Sequence, residues 1–475
     1  MKKLVLFSLV LLIYNGTNAQ RKFGFINPNG KVVIPLKYEN AGNFNEGYAV
    51  VLNANKELLI IDKKGNETPI KNKNYDVSFS YYNDFVFSEG LCAVISNKKY
   101  GFINTRGEEV IPCEYEKPVL PKNADDRIVQ GLPKFLNGVA VVYKNGLYGV
   151  INKTGKIVVP IEYQFITHFK NNLAVFQKNI STPNYKGVMD VSGNIIVKAA
   201  KYHENIWIED KNIIRFHYVD GIYTNFYGFY NSKGEEINTE NHFTFLSQFE
   251  NGFALYGTKK APNYWGIIDA LGNTSPLKEK YAFNSNEPSQ FRNGYLYPRK
   301  IDNKKMLQLN NKGELANNNC EFDYLFEVNN DGIAWGTKGN TNAAFFDVKT
   351  CKLIYETDMN GTNSMDYIFT NASKIYPFKG GYTAIKKGGN DFEKKEFEYI
   401  LIDKKGKTTY SIIGGYDCSL EPDATEKGIY IYTYRNDFDL KKPPYTLYLK
   451  GDGTVLYKGS FDCKNFSDGL AAIKN

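Results

Sequence analysis

One phrase recurs along this chain, and a repeat of that kind decides the architecture before any single residue does. An aromatic residue, Gly and two apolar residues run into Asp or Asn, with a second Gly three positions later. Clear copies are Phe23-Gly-Phe-Ile-Asn-Pro-Asn-Gly30, Tyr100-Gly-Phe-Ile-Asn-Thr-Arg-Gly107, Tyr148-Gly-Val-Ile-Asn-Lys-Thr-Gly155, Tyr227-Gly-Phe-Tyr-Asn-Ser-Lys-Gly234 and Trp265-Gly-Ile-Ile-Asp-Ala-Leu-Gly272. Weaker copies end at Gly65, Gly193, Gly313, Thr350, Gly406 and Gly453. That makes eleven turns at a mean spacing of about 42 residues. A second phrase keeps the same phase: Phe44-Asn-Glu-Gly47, Phe87-Ser-Glu-Gly90, Phe135-Leu-Asn-Gly138, Phe249-Glu-Asn-Gly252 and Phe466-Ser-Asp-Gly469, each followed by a short apolar run. Between them lies Val32-Val-Ile-Pro-Leu-Lys-Tyr38, echoed by Val110-Ile-Pro-Cys-Glu-Tyr115 and Val158-Val-Pro-Ile-Glu-Tyr163.

Each phrase has a local physical meaning. The Asp or Asn side chain bonds the backbone ahead of it and nucleates a type I turn, while Gly takes the left-handed position that closes a bulged hairpin. The flanking runs are rich in Val, Ile, Phe and Tyr, which is strand chemistry, and Pro is expected after the second strand, where it stops further pairing. The Phe-x-x-Gly phrase reads as a turn feeding another strand, its Phe in the core. No segment after Ile13 sustains a 3.6-residue period with caps. The expectation is an all-β chain of about eleven ~42-residue antiparallel β-meanders, β-propeller-like, with an open curved β-repeat stack or two smaller rings as alternatives.

These phrases resemble the WG-repeat (WG containing repeat, β-type) family. The family pattern implies an aromatic-Gly strand, an Asp-x-x-Gly turn, a Val-Ile-Pro strand and a Phe-x-x-Gly-Leu-Ala strand. The resemblance covers essentially the whole chain after the leader. Trp265-Gly266 is the literal dipeptide in phase, whereas Trp335-Gly336 falls in another phrase. Residues 20–300 read as regular repeats and 301–475 as degenerate ones. The resemblance implies a β-repeat scaffold, and no catalytic residue or cofactor, because its recurring positions are turn and core positions.

The first nineteen residues are set apart. Lys2 and Lys3 precede the apolar run Leu4 to Ile13, and Thr17-Asn-Ala19 supplies small residues for cleavage after Ala19. This is the pattern of a secretory signal peptide, and its ten apolar residues are about half of what a membrane-spanning helix needs. No Cys precedes Cys92, so no lipid-anchor cysteine sits at the cleavage point. The expected location is periplasmic or extracellular, with no membrane span. Removing Lys2 and Lys3 lowers the formal charge from +8 to +6, spread over many lysines, which excludes a nucleic-acid footprint.

Candidate chemistry is sparse. Cys92, Cys113, Cys320, Cys351, Cys418 and Cys463 are scattered without metal-ligand spacing, and Cys92 occupies a slot that Ala fills elsewhere, as a small buried hydrophobe does. Each turn offers one carboxylate, fewer than a calcium loop requires. His168, His203, His217 and His242 lie in no catalytic motif; His203-Glu204 and His217 near Asp220 are the local acid-base pairs. Aromatic residues outside the repeat phase, Trp207, Trp335 and the cluster Tyr218, Tyr223, Phe226, are expected in the core, with glycan contact as the functional alternative. Two function classes remain: a non-enzymatic secreted scaffold binding a protein, peptide or glycan through loops on one face, and a glycan-processing enzyme with loop-borne carboxylates. The insertion from Glu116 to Lys134, with Asp125-Asp126-Arg127, separates them, because an enzyme would bring paired acids together there. Finally, Gly469 to Asn475 supplies the phrase that the first unit lacks, so Leu470 to Ile473 is expected to pair with Phe23 to Ile26.

Protein made in a secreting host should begin at or near Gln20; intact-mass analysis that finds Met1 to Ala19 retained refutes the leader assignment.

Overall fold

The computed structural model of the chain describes residues 22–474 apart from internal stretches, the longest being 77–84, 118–132, 283–290, 359–375 and 389–396. The leader with Ala19, the Asp125-Asp126-Arg127 insertion, Tyr223, His242 and Cys320 lie outside the described residues.

Among the described residues the chain forms eleven small antiparallel sheets of two to four strands. The third is representative: Phe87–Ser88, Leu91–Ser96, Lys99–Asn104 and Glu109–Tyr115 follow one another and pair in that order. The expected turns are present. Asn104 Oδ1 accepts from the Arg106 and Glu108 amides at 2.9 and 3.1 Å, the Gly107 amide donates to the Asn104 carbonyl at 3.0 Å, and Gly107 has φ 70°. In Phe-x-x-Gly the two residues at the bend both have positive φ, as in Glu46 (51°) and Gly47 (84°), which gives the primed two-residue hairpin that matches strand twist.

Two glycines of the phrase are needed for different reasons. A Cβ on Gly101, in the aromatic-Gly pair, would lie 2.5 Å from the Ile111 carbonyl oxygen and 2.7 Å from the Cys113 amide nitrogen, because the Ile-Pro-Cys backbone crosses directly over it. Gly107 combines positive φ with crowding: its Cβ would lie 2.4 Å from the carbonyl oxygen of Pro69 in the preceding unit. Proline departs from expectation. Pro35, Pro112 and Pro160 sit inside the fourth strands Val32–Tyr38, Glu109–Tyr115 and Ile157–Tyr163, not after them. Register shifts between Ile111 and Tyr115, and at the matching places in the other two, show that the strand bulges at Pro and then resumes pairing on the outermost edge, where a missing N–H is tolerated.

No single sheet has a core of its own; the buried clusters lie between sheets. Phe102 and Ile111 of the third unit pack with Phe135, Ala140 and Val142 of the fourth, and Val150 and Tyr163 of the fourth pack with Phe169 and Phe176 of the fifth. The pattern continues through every neighbouring pair, down to Tyr399 and Leu401 of the tenth unit against Tyr430 and Leu449 of the eleventh. The cycle then closes. Ile429, Ile431 and Tyr448 of the eleventh unit pack on Ile26, Phe466, Ala471 and Ile473 of the first, and the first packs on the second through Phe25, Phe44 and Val51. Eleven sheets and eleven interfaces form one closed cycle, so the open stack and the pair of smaller rings are both set aside.

The first unit is built from both ends of the chain. Phe466–Ser467, Leu470–Lys474, Phe23–Ile26 and Val32–Tyr38 pair in that order, with Phe23 opposite Lys474, Phe25 opposite Ala472 and Ile26 opposite Ala471. The paired segment is Ala471 to Lys474, one residue later than the sequence suggests, because Leu470 pairs back to Ser467.

On the side of the first strands, neighbouring units are tied backbone to side chain. Thr425 Oγ1 donates to the Phe466 carbonyl (2.7 Å), Ser467 Oγ to the Phe44 carbonyl (2.6 Å), Asn45 Nδ2 to the Phe87 carbonyl (2.6 Å) and Ser88 Oγ to the Phe135 carbonyl (2.5 Å). Carboxylates reinforce the ladder. Asp468 accepts the Gly47 amide at 2.6 Å, Glu46 accepts Gly90 at 2.8 Å, and Glu89 accepts Gly138 at 2.8 Å. The opposite, fourth-strand side carries the exposed aliphatics, among them Val32, Ile157, Ile195, Ile413 and Val455. The first-strand side is therefore the knitted hub and the fourth-strand side the solvent-facing rim.

Cys92 is fully buried, as its Ala-like slot suggests, and burial pushes its thiol well above the usual range. Cys113, Cys418 and Cys463 are also free, and burial pushes the Cys113 and Cys463 thiols up to about 11. Cys351 is disulfide-bonded. No described helix is long and apolar enough to cross a membrane.

Two outcomes follow from this geometry. Gly107→Ala should destabilise by about 2–3 kcal/mol, since left-handed strain and the Pro69 carbonyl both oppose it, and Gly155→Ala by only about 1 kcal/mol, since it meets the Ile111 side chain at 3.4 Å; equal melting temperatures would refute the distinction. Truncation after Lys464 should accelerate amide exchange at Phe23 to Ile26, and unchanged exchange there would refute closure.

Candidate functional site

Antiparallel alternation sorts the connections. In the units whose four strands are all described, the turns after the first and third strands leave one end of the sheet, while the connection after the second strand and the passage to the next unit leave the other. At one end the turns after the third strand are four or five residues long wherever third and fourth strands are both described, as in 27–31, 105–108 and 153–156. At the other end the connections vary from the two-residue bend Asn97-Lys98 to 70–86, 116–134, 178–185, 359–377 and 435–444. The described strands are thus joined at one end by repeated short turns and run at the other into connections of unequal length.

The regular units also carry a tie near the loop face. Lys144 pairs with Glu114 of the preceding unit at 2.6 Å and lies 5.9 Å from the Tyr115 ring centroid; Lys178 repeats this with Glu162 (2.8 Å) and Tyr163 (5.6 Å). The lysine beside Glu114 holds its carboxyl below the usual range. These groups bind neighbouring units together.

The candidate residues that the repeat does not explain converge on the sixth unit: Asn205–Ile208, Ile214–Asp220, Thr224–Tyr230 and Glu236–Ile237. His203 is buried, its nitrogens engaged by the Lys186 carbonyl (3.0 Å) and the Tyr230 hydroxyl (2.9 Å), and burial lowers its pKa. His168 is also lowered by burial, with Lys134 adding to it. His217 bonds Asn205 Nδ2 through Nδ1 (3.3 Å) and Asn225 Oδ1 through Nε2 (3.0 Å). An amide nitrogen only donates, so Nδ1 accepts and the Nε2–H tautomer is the one that fits both bonds.

Trp207 corrects the expectation of a core residue. It is 38% exposed, and no other aromatic ring among the described residues reaches that class. In its strand, Asn205–Ile208, the alternate positions Asn205 and Trp207 are the exposed ones. Register places Trp207 opposite Arg215 and Asn205 opposite His217, all on one face of the sheet. The Arg215 guanidinium lies 4.2 Å from the indole centroid. Arg215 is held in turn by Glu209 Oε1 (2.6 Å) and the Leu246 carbonyl (3.2 Å). Glu209 is buried, and burial pushes its carboxyl up even with Arg215 beside it. Its second oxygen accepts the Phe249 amide at 2.7 Å.

Tyr218 and Phe226 stack at 5.2 Å and 21° on the opposite face of the same sheet, half-buried, while Trp335 packs half-buried beside Ile333 and Phe345 at the ninth and tenth units. Among the described residues no group of three or more His, Cys, Asp or Glu converges as a metal site would require. The sequence marked Trp207 by its departure from phase and His217 by its nearness to Asp220; Arg215, Asn205 and Asn225 carried no such mark and are found only through register.

The WG containing repeat family model matches residues 23–56, 100–117 and 148–179, which lie in the first to fifth units. No curated protein matches the chain. Among solved structures, the designed protein Ika8 overlaps at 12% identity over 74% of this chain and 92% of that one, with a TM-score of 0.25. A eukaryotic initiation factor overlaps at 12% identity over 80% and 97%, with a TM-score of 0.38. BamB from Moraxella catarrhalis overlaps at 7% identity over 92% and 96%, with a TM-score of 0.26. Likeness at this level says nothing of ligand or activity. The matched segments hold the same aromatic-Gly, Asx-turn and Val-Ile-Pro phrases whose geometry is described above, and over them the chain is similar to WG containing repeats.

Proposed function

We propose that the chain is an exported, non-catalytic β-repeat scaffold that holds a protein, peptide or glycan partner on its loop face. The observation that carries this reading is the segregation of connections: constant turns at one end, committed to neighbouring units, and unequal loops at the other. Binding surfaces are commonly loops presented by a rigid framework, and a ring closed by eleven interfaces is such a framework. Export is supported by Lys2, Lys3 and the Leu4 to Ile13 run, and by the disulfide at Cys351, a bond that persists in oxidising compartments. The His203 imidazole is spent on the Lys186 carbonyl and the Tyr230 hydroxyl, which favours a structural role for it.

The test compares two variants with wild type in capture from native envelope or culture medium. Replacing residues 118–132 by a short Gly-Ser linker should abolish or reduce capture at least tenfold, whereas Lys153→Ala on the turn face should leave it unchanged. Loss on the turn face alone, or turnover of oligosaccharides by wild type, would overturn the reading.

A further inference from the structure

We propose that the exposed surface of Trp207, on the face of the sixth unit that meets the seventh, is a subsite for a neutral hexopyranose residue of a glycan. The inference rests on the scaffold reading above and narrows its partner.

Trp207 is the one aromatic ring among the described residues that reaches the exposed class. Nothing in the repeat requires it, since neighbouring units form their interfaces without an outward residue at this place. It is also stiff. One ring face is covered by Arg215, which Glu209 and the Leu246 carbonyl fix from below, so little side-chain freedom is lost when a ligand lands on the remaining surface. A rigid indole offers a flat apolar platform to the C–H face of a pyranose, much as aromatic rings accept the faces of other planar groups.

The polar groups alongside match hydroxyls. Asn205 and Asn225 each bind His217 through one end of the carboxamide, which leaves the oxygen of Asn205 and the nitrogen of Asn225 pointing away from the imidazole. A hydroxyl both donates and accepts, and the two amides present one acceptor and one donor. Register keeps them on the Trp207 face: Asn205 is opposite His217, His217 opposite Tyr227, and Asn225 opposite Val219. The His217 and Tyr227 rings lie 4.7 Å apart, so the imidazole is packed as well as hydrogen-bonded.

Charge within the stack is balanced: the nearest cation, Arg215, is met at 2.6 Å by a carboxylate that is only 3% exposed. Two ammonium groups lie close by on backbone carbonyls, Lys170 on Ile208 at 2.9 Å and Lys211 on Asn251 at 3.3 Å, and the acidic control below measures what they add. A neutral hydroxylated ring is the class that uses all the groups present.

The probe set is cello-, laminari-, manno- and xylo-oligosaccharides, with oligogalacturonate as the acidic control and an uncharged decapeptide as the peptide control. The readouts are tryptophan fluorescence and calorimetric titration of the full mature chain. At least one neutral series should bind saturably. Trp207→Ala should weaken it tenfold or more, and Asn225→Ala several-fold, while Trp207→Phe, which keeps a ring, retains part of the affinity and controls for folding. No binding by any neutral series, equal affinity in Trp207→Ala, or binding confined to the galacturonate or the peptide would overturn the inference. A partner still captured through the loop face while every oligosaccharide fails would sink the sugar site and leave the scaffold reading standing.

Discussion

The whole arrangement depends on one kind of contact: the face of a small sheet buried against the next. Four strands of two to seven residues cannot enclose a core, and an isolated meander of this size would be marginal in water. Placed in a cycle, each sheet is covered on both faces, and fully burying a Phe, Ile or Leu contributes roughly 1.5–3 kcal/mol per side chain. Every other feature serves this stacking. Gly107 lets a turn meet Pro69 of the neighbour, the primed Glu-Gly bends bring their carboxylates to the next unit's amides, and Ser88 and Asn45 satisfy the carbonyls of the next hub Phe. Hydrogen bonds to charged acceptors are worth more than neutral ones, about 1.5–3 against ~1 kcal/mol, so the carboxylate ladder is the stronger of the two hub ties.

Two hub positions break the rule. Buried Phe occupies the place in most units, as in Phe44, Phe87, Phe135, Phe249 and Phe466. In the sixth unit it is Glu209 and in the eleventh Asp423, both buried, and each accepts the amide of the next hub Phe: Phe249 at 2.7 Å, Phe466 at 2.8 Å. A buried carboxylate is tolerated only when its oxygens are satisfied. Asp423 manages with the Thr425 and Glu426 amides, whereas Glu209 recruits Arg215. The stacked Trp207 thus traces back to an acid in a phenylalanine's place. It is a structural substitution with a surface consequence.

How much of this was legible depends on range. Asn104 and Gly107 act on residues within four positions of themselves, so their turn is readable from the phrase. The pairing of the chain ends was readable from the complementary phrases, to within one residue. Gly101 was recognisable as recurrent, but its cause, the backbone crossing at Pro112, exists only after the fourth strand bulges. Ser467, Asn45 and Ser88 perform one task with three side chains, which hides the task from any search for identity. Trp207 was noticed for being out of phase and assigned to the core; the residues that hold it at the surface, Arg215 and Glu209, are reached only through register and tertiary contact.

The shared first unit has a cost during synthesis. Phe23–Ile26 emerges near the start, and its partner Leu470–Lys474 emerges last. At ribosomal rates of about 5–20 residues per second, the strand waits on the order of half a minute or more for the residues that cover it. Through that interval Phe25 and Ile26, each fully buried in the finished ring, stay open along an unpaired edge, the kind of surface that invites association with other chains. The closure that protects the mature molecule is therefore also the step at which a nascent one is most in need of a chaperone.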